Sequence, residues 1–246
     1  MLAVLGAVRP VAAGIGPLAL PGEEGFRWAA ASRFTAVQPA VSRRGLDPRA
    51  LDGSARRGIV TLCRRLGLSL AGLDLSVPAP AWLDGGRIGR AIELAADATG
   101  LAEDLGRLPV SIDVQSPDSV PQQARAELIA NAERRGVRIV VYSEGPCVWG
   151  EWVTRGIDAA QCAASGADPV NELIRCGARL GGVRLRPPGE GQGSGSDAPR
   201  PRVDLRGVAA ALAGVGFPGF PVGQVNGGQS AQGDLIRIRS LWEAQP

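Results

Sequence analysis

Eight short apolar runs of β type, most of them followed by a segment of helical period, predict a (β/α)8 barrel for this chain of 246 residues. The length suits a single α/β domain spanning residues 1–246, and glycines stand where helices should release the chain into the next strand. An open doubly wound sheet is the other arrangement that the same alternation permits. The strands are expected at Leu2 to Val8, Ala36 to Gln38, Ser69 to Val77, Pro109 to Gln115, Val137 to Ser143, Trp152 to Ile157, Gly182 to Arg186 and Phe220 to Val225. The fifth, VRIVV, is apolar apart from one arginine, as a strand covered on both faces should be.

Helical period is expected over Glu23 to Ser32, Ser54 to Leu66, Asp84 to Thr99, Ser119 to Arg135, Ala159 to Leu180 with a break near Gly166, Val203 to Gly214, and Ser230 to Trp242. Ser54 and Ser119 are the expected N-caps, and Gly67, Gly100 and Gly136 the expected helix ends. Two places depart from the alternation. GPCVWGE, Gly145 to Glu151, is too short for a helix and its turns, so the outer helix between the fifth and sixth strands is shortened or missing. Trp149, Trp152 or a neighbouring subunit is expected to cover the gap. The Gly/Pro/Ser tract at 187–201 reads as a flexible loop.

Composition excludes several chemistries. The chain has no histidine, so an imidazole base, a Ser-His triad and histidine metal ligands are ruled out. All of its basic residues are arginine, so no lysine can form a Schiff base. The net charge of +3 is spread among 24 acids without a basic cluster, which argues against nucleic acid as a partner. Cys63, Cys147, Cys162 and Cys176 show neither zinc spacing nor a disulfide framework. The apolar start, Leu2 to Leu20, has no basic lead and is broken by Arg9, Pro10, Gly14, Gly16 and Pro17, so it reads as a strand and loop. No stretch is long enough for a membrane helix, and a cytoplasmic location is the expectation. The pair Gly14 and Gly16 lacks the third glycine of a dinucleotide loop.

Three stretches carry a resemblance: FRWAAASRFTAVQ (Phe26 to Gln38), AIELAADATG (Ala91 to Gly100), and VDL (Val203 to Leu205) leading to GVGFPGF (Gly214 to Phe220). In this order they resemble the xylose-isomerase-like TIM-barrel superfamily, the sugar isomerases and sugar-phosphate epimerases. The resemblance implies a divalent metal, Mn²⁺ or Mg²⁺, held at the C-terminal mouth by a Glu, an Asp, a His and a Glu after strands five to eight. Glu144 and Asp158 match the first two, so they are the candidate metal ligands and Glu144 the candidate catalytic base. Arg184 stands in the place of the His and Gln224 in that of the second Glu. Gln161 stands where the family often has another His.

Moving a proton between the carbons flanking a carbonyl needs a base on each face and a Lewis acid on the developing enediolate. Glutamine supplies no base, and a guanidinium beside the carboxylates repels a cation. Degeneration of the metal site is therefore expected, with no cofactor. Arg184 is expected to ion-pair with Glu144, Asp158 or both in the metal's stead. Asp113, Asp158, Arg184, Arg186, Gln224 and Trp82 are the candidate ligand contacts, and Trp149 and Trp152 are further mouth aromatics. Tyr142, Ser143 and Cys147 flank Glu144 and could supply a hydroxyl or thiol, but Cys147 reads as an inert small hydrophobe and a thiol enzyme is not expected.

Three functions compete. One is a sugar or sugar-phosphate isomerase/epimerase with weakened or lost metal-dependent catalysis; another is a non-catalytic barrel that binds a sugar-like ligand or regulates a partner. An endonuclease of abasic DNA on the same fold would need a histidine-rich metal cluster that the composition denies. The expected partner is a small sugar-like molecule, with no nucleic acid and no membrane; a homo-oligomer remains open.

Overall fold

The β-type runs form short parallel strands in one sheet. In a computed structural model, which describes residues 9–18, 20, 23–41, 46–143, 145, 149–187 and 203–245, these are β1 (Ala12–Gly14), β2 (Ala36–Gln38), β3 (Ser69–Leu70), β4 (Leu73–Leu75), β5 (Val110–Asp113), β6 (Ile139–Tyr142), β7 (Val153–Asp158), β8 (Leu180–Leu185) and β9 (Val222–Gly223). Their lateral order, β3-β2-β1-β9-β8-β7-β6-β5-β4, sets two consecutive segments at opposite ends of the sheet. Only Ala71 and Gly72 separate those two, so β3 and β4 are halves of a single bent strand. One half pairs with β2 through Ala36 and Ser69, the other with β5 through Leu73 and Val110. A parallel bridge between Ala40 and Asp74 draws the seam together. Gly72 permits the bend, because a Cβ there would lie 2.9 Å from the Pro109 carbonyl oxygen and 3.2 Å from Gln38 Nε2. The result is a nearly closed (β/α)8 barrel in which the third strand is split.

The first strand departs from expectation. Leu2 to Val8 lies outside the described residues, and β1 occupies a stretch whose prolines and glycines suggested a loop. Its alanines are nevertheless fully buried, Ala12 inside the barrel against Ala36 and Val222, so small side chains here make a tight floor.

The outer layer is α1 (Glu24–Ala31), α2 (Gly53–Arg65), α3 (Ile88–Asp104), α4 (Gln122–Arg135), α5 (Ala159–Ala164), α6 (Pro169–Cys176), α7 (Leu205–Gly214) and α8 (Ala231–Glu243). The expected break at Gly166 divides α5 from α6. Asp52, not Ser54, caps α2 by accepting the Ala55 N–H at 2.7 Å. Ser119 sits in a 3-10 turn, and α4 begins after Pro121, whose ring presets the entry backbone. Gly136 ends α4 in the left-handed conformation as expected. Gly100 does not end α3; it lies within that helix, close under the Arg135 side chain. Outer strand faces pack on the helices in two apolar clusters, one centred on β1, β2 and β8, the other on β4, β5 and β6.

Between Tyr142 and Val153 the described residues form no helix. Trp149 is buried there in the second cluster, with Trp152 packed against it, so indole rings cover strand faces that a helix would otherwise cover. Among the described residues no helix is long and apolar enough to cross a membrane.

Candidate functional site

Buried polar side chains gather inside the barrel. Gln38, Asp74, Ser111, Asp158 and Arg184 are all buried and all lie on strands. Successive strand residues face opposite sides, and the apolar clusters identify the outer one. Leu73 and Leu75, Val110 and Ile112, and Val183 and Leu185 join those clusters, so Asp74, Ser111 and Arg184 between them point inward. Lower in the barrel, Gln38 Nε2 donates to Ser111 Oγ at 3.1 Å.

Arg184 organises the mouth. Its Nη2 donates to Asp74 Oδ1 at 2.8 Å and its Nη1 to Asp113 Oδ1 at 2.5 Å, while its Cζ lies 3.8 Å from the centroid of the Tyr142 ring. The ring reaches under it because β7 and β8 carry glycines here. A Cβ on Gly156 would be 2.7 Å from the ring, and one on Gly182 would be 2.5 Å from its hydroxyl. Burial alone would lower the Arg184 pKa, but Asp113 and Asp74 outweigh it and raise it, so the guanidinium stays charged. Burial raises the Asp74 carboxyl above the usual range, against the pull of Arg184 and a hydrogen bond donated by Ser76. The Arg184 side chain is 2% exposed and that of Asp113 46%, so Asp113 is the partner that meets solvent.

Asp158 ends β7 and caps α5. Its Oδ1 accepts the N–H groups of Ala160 and Gln161, each at 3.1 Å, and its Oδ2 accepts from Arg186 Nε at 2.6 Å. Arg186 also reaches Asn226 Oδ1 at 3.5 Å. Above these groups opens a cavity of about 700 Å³. Asp113, Arg184, Arg186 and the amides of Gln115, Gln224 and Asn226 line it on one side, and the apolar run Val77 to Pro80 on another. It lies at the C-terminal ends of the strands, where barrels of this kind place their sites.

The whole chain matches solved barrels. A xylose isomerase domain protein from Planctomyces limnophilus superposes with a TM-score of 0.72 at 10% identity, covering 97% of this chain and 96% of that one. The D-psicose 3-epimerase from Clostridium cellulolyticum H10 gives 0.68 at 14% identity over 94% and 90%. The probable 3-DHS dehydratase AsbF of Bacillus anthracis, involved in petrobactin synthesis, gives 0.69 at 10% over 97% and 100%. The fold is the xylose-isomerase-like TIM barrel. No protein-family model matches the chain, and no curated protein matches it in sequence. Identities this low establish a shared architecture alone, and an epimerase and a probable dehydratase both have it, so the reaction has to be argued from the site.

The xylose-isomerase-like resemblance implies a divalent metal, and the donors among the described residues do not fit one. Both oxygens of Asp158 are engaged, Gln224 offers only an amide, and the centre of the mouth holds a guanidinium. Among the described residues no group of three acidic or thiol side chains is placed to hold an ion. Glu144, the candidate base and metal ligand, lies outside the described residues, as does Cys147.

The expected partnership of Arg184 with Asp158 is corrected. Arg184 reaches across the barrel to Asp74 and Asp113, and Arg186, two residues along the same face, takes Asp158. Asp158 is turned towards the α5 N-terminus, which leaves its outer oxygen to the nearer arginine. Trp82 is corrected as well. It is completely buried in the second apolar cluster, with no face for a ligand to stack on. Asp113, Arg184, Arg186 and Gln224 do line the mouth, while Asp158 stands behind Arg186. Asp74, Tyr142, Gln115 and Asn226 belong to the same cavity. The sequence marks Asp74 as an inward-pointing acid at the end of the third strand that could bond a substrate hydroxyl, and Tyr142 only as a neighbour of Glu144; nothing local marks Gln115 or Asn226.

Proposed function

We propose that this protein is a sugar isomerase/epimerase-like barrel that has lost the metal-dependent step and keeps a ligand site at its mouth. The observation that carries the reading is Arg184, tied to Asp74 and Asp113 where a metal-dependent relative would gather ligands around a cation. A charged guanidinium there repels Mn²⁺ and also occupies the carboxylates that would otherwise be free to bind it. The cavity still suits a polyhydroxylated molecule. Amides of Gln115, Gln224 and Asn226 both donate and accept hydrogen bonds, the exposed oxygens of Asp113 accept them, and the Val77 to Pro80 wall offers apolar contact to C–H faces.

Chemistry on such a ligand lacks its second base. Gln224 cannot take a proton, and without a Lewis acid the enediolate loses several kcal/mol of stabilisation, a rate loss on the order of thousands-fold. Ketoses and their phosphates should therefore bind in calorimetric titrations yet show no epimerisation and no solvent-deuterium exchange by NMR, with or without Mn²⁺. Metal-dependent turnover that vanishes in Glu144→Gln would sink this reading in favour of an active enzyme. Arg184→His combined with Gln224→Glu is expected to raise Mn²⁺ affinity at least tenfold; an unchanged titration would show that the arginine is not what excludes the ion.

A further inference from the structure

Parallel strands in a barrel share one direction, so the segments that lead from the outer layer into the strands lie together at the end opposite the mouth. The sequence scatters its arginines; the fold collects them there. Arg64 and Arg65 close α2 and Arg134 closes α4. Outside the α-helices, Arg9, Arg33, Arg107, Arg138 and Arg179 stand ahead of β1, β2, β5, β6 and β8. All eight are exposed, and none forms an ion pair among the described residues. Glu133 and Glu151 are the unpaired acids described at this end, since Glu103, Asp104 and Glu243 each already hold an arginine. We infer that this end of the barrel is a docking face for an anionic lipid surface.

Helix ends do not account for the charge. An arginine in a last turn offsets the partial negative charge of a helix C-terminus, which explains Arg64, Arg65 and Arg134 but not the other five. Two of those five also carry a conformational cost. Arg33 and Arg107 both have a φ of 61°, and they are the two described non-glycine residues in the left-handed region that favours glycine. After the caps of α2, α5 and α7 the position matching Arg33 is Gly67, Gly166 and Gly216. Neither guanidinium gains a hydrogen-bond or ionic partner among the described residues in return. A Cβ on Gly136 would lie 3.6 Å from Arg107 Cδ, so Arg107 sits against the turn that carries Arg134 and Arg138.

Shape selects the partner. The arginines are spread round the end of the barrel, and a nucleic-acid duplex, being a cylinder, would meet only a strip of them. A protein partner needs an apolar centre to its interface. None is offered here, because the exposed large apolar side chains Leu83, Ile174 and Ile236 all lie outside the segments that enter the strands. A flat layer of anionic headgroups can meet the ring as a whole, and guanidinium groups bind phosphate bidentately. Docked in this way, the mouth opens away from the membrane and stays free, whatever it binds.

Flotation of the full chain with vesicles of phosphatidylcholine and phosphatidylserine at low salt tests the face. The protein should float with these vesicles and not with pure phosphatidylcholine, and high salt should release it. Arg33→Gly combined with Arg107→Gly removes two charges and relieves two left-handed backbones, so the fold is kept while affinity falls about tenfold or more. Arg138→Gln with Arg179→Gln should weaken binding as much without touching the strained turns. Arg206→Gln with Arg237→Gln takes equal charge from α7 and α8 and should change affinity by less than about threefold. The inference is overturned if phosphatidylserine vesicles are not bound, or if this last pair weakens binding as much as the other two. Tighter binding to duplex DNA than to the vesicles at the same salt would also overturn it and assign the face to nucleic acid.

Discussion

Arg184 is a buried cation held between two carboxylates and a ring face, and a buried charge is costly mainly when its partner is removed. Arg184→Met would leave Asp74 buried and unpaired, at a cost of about 3–5 kcal/mol near neutral pH. The pH dependence has a definite sign. Burial already raises the Asp74 pKa above its unfolded value, and losing Arg184 raises it further. A carboxyl raised on folding contributes stability that is full below its unfolded pKa, about 3.9, and is lost as pH rises through the folded value. The variant should therefore be closer to wild type in mild acid than at neutral pH in urea denaturation, and adding Asp74→Asn should recover much of the neutral-pH loss. Equal destabilisation at both pH values would mean that Asp74 is not the group left stranded.

At the level of elements, the strands that make the mouth differ from those that make the core. β7 and β8 give up side-chain volume at Gly156 and Gly182, and Tyr142 takes that space as the platform under Arg184. Gly156→Ala would drive a methyl group into the ring, with an expected loss of about 1–3 kcal/mol by overpacking. Pairing it with Tyr142→Leu should relieve much of the strain, since the clash is with the ring; additive losses would place the strain elsewhere. Across the sheet, Trp149 covers strand faces where the described residues form no helix. Trp149→Ala should cost about 3–5 kcal/mol, as for other buried large aromatics. A loss under about 1 kcal/mol, as for an ordinary surface substitution, would show that something else covers that face.

For the whole molecule, closure matters more than any single strand. The barrel shuts through one strand bent at Gly72, and this brings β4 and β5 opposite β8, so that Asp74 and Asp113 meet Arg184 across the interior. If the mouth holds no ion, as proposed, the thermal midpoint should be the same in EDTA and in millimolar Mn²⁺; a metal that bound only the folded barrel would raise it. A rise of several degrees in Mn²⁺ would mean that the described carboxylates, or Glu144, do hold an ion.

Much of this architecture is local and so was legible in the residues. The period of two in VSID and the 3.6-residue period of AIELAADATG mark strand and helix wherever they occur, and glycines at 67, 136 and 166 punctuate them through backbone conformation alone. The absence of histidine and the Arg and Gln at the positions of the family's ligands are equally plain in the residues, and they are the basis of the proposal that the mouth binds no metal. Other features depended on position in space. Asp74 is separated from Arg184 by 110 residues and Asp113 by 71, and their meeting follows from the stagger and closure of the sheet, which no spacing along the chain encodes. The same holds for Trp82, an aromatic beside the mouth in sequence but turned into the core by a 3-10 turn. Local chemistry set which residues could serve the site; the tertiary fold chose each one's partner, because an ion pair is decided by where two side chains converge.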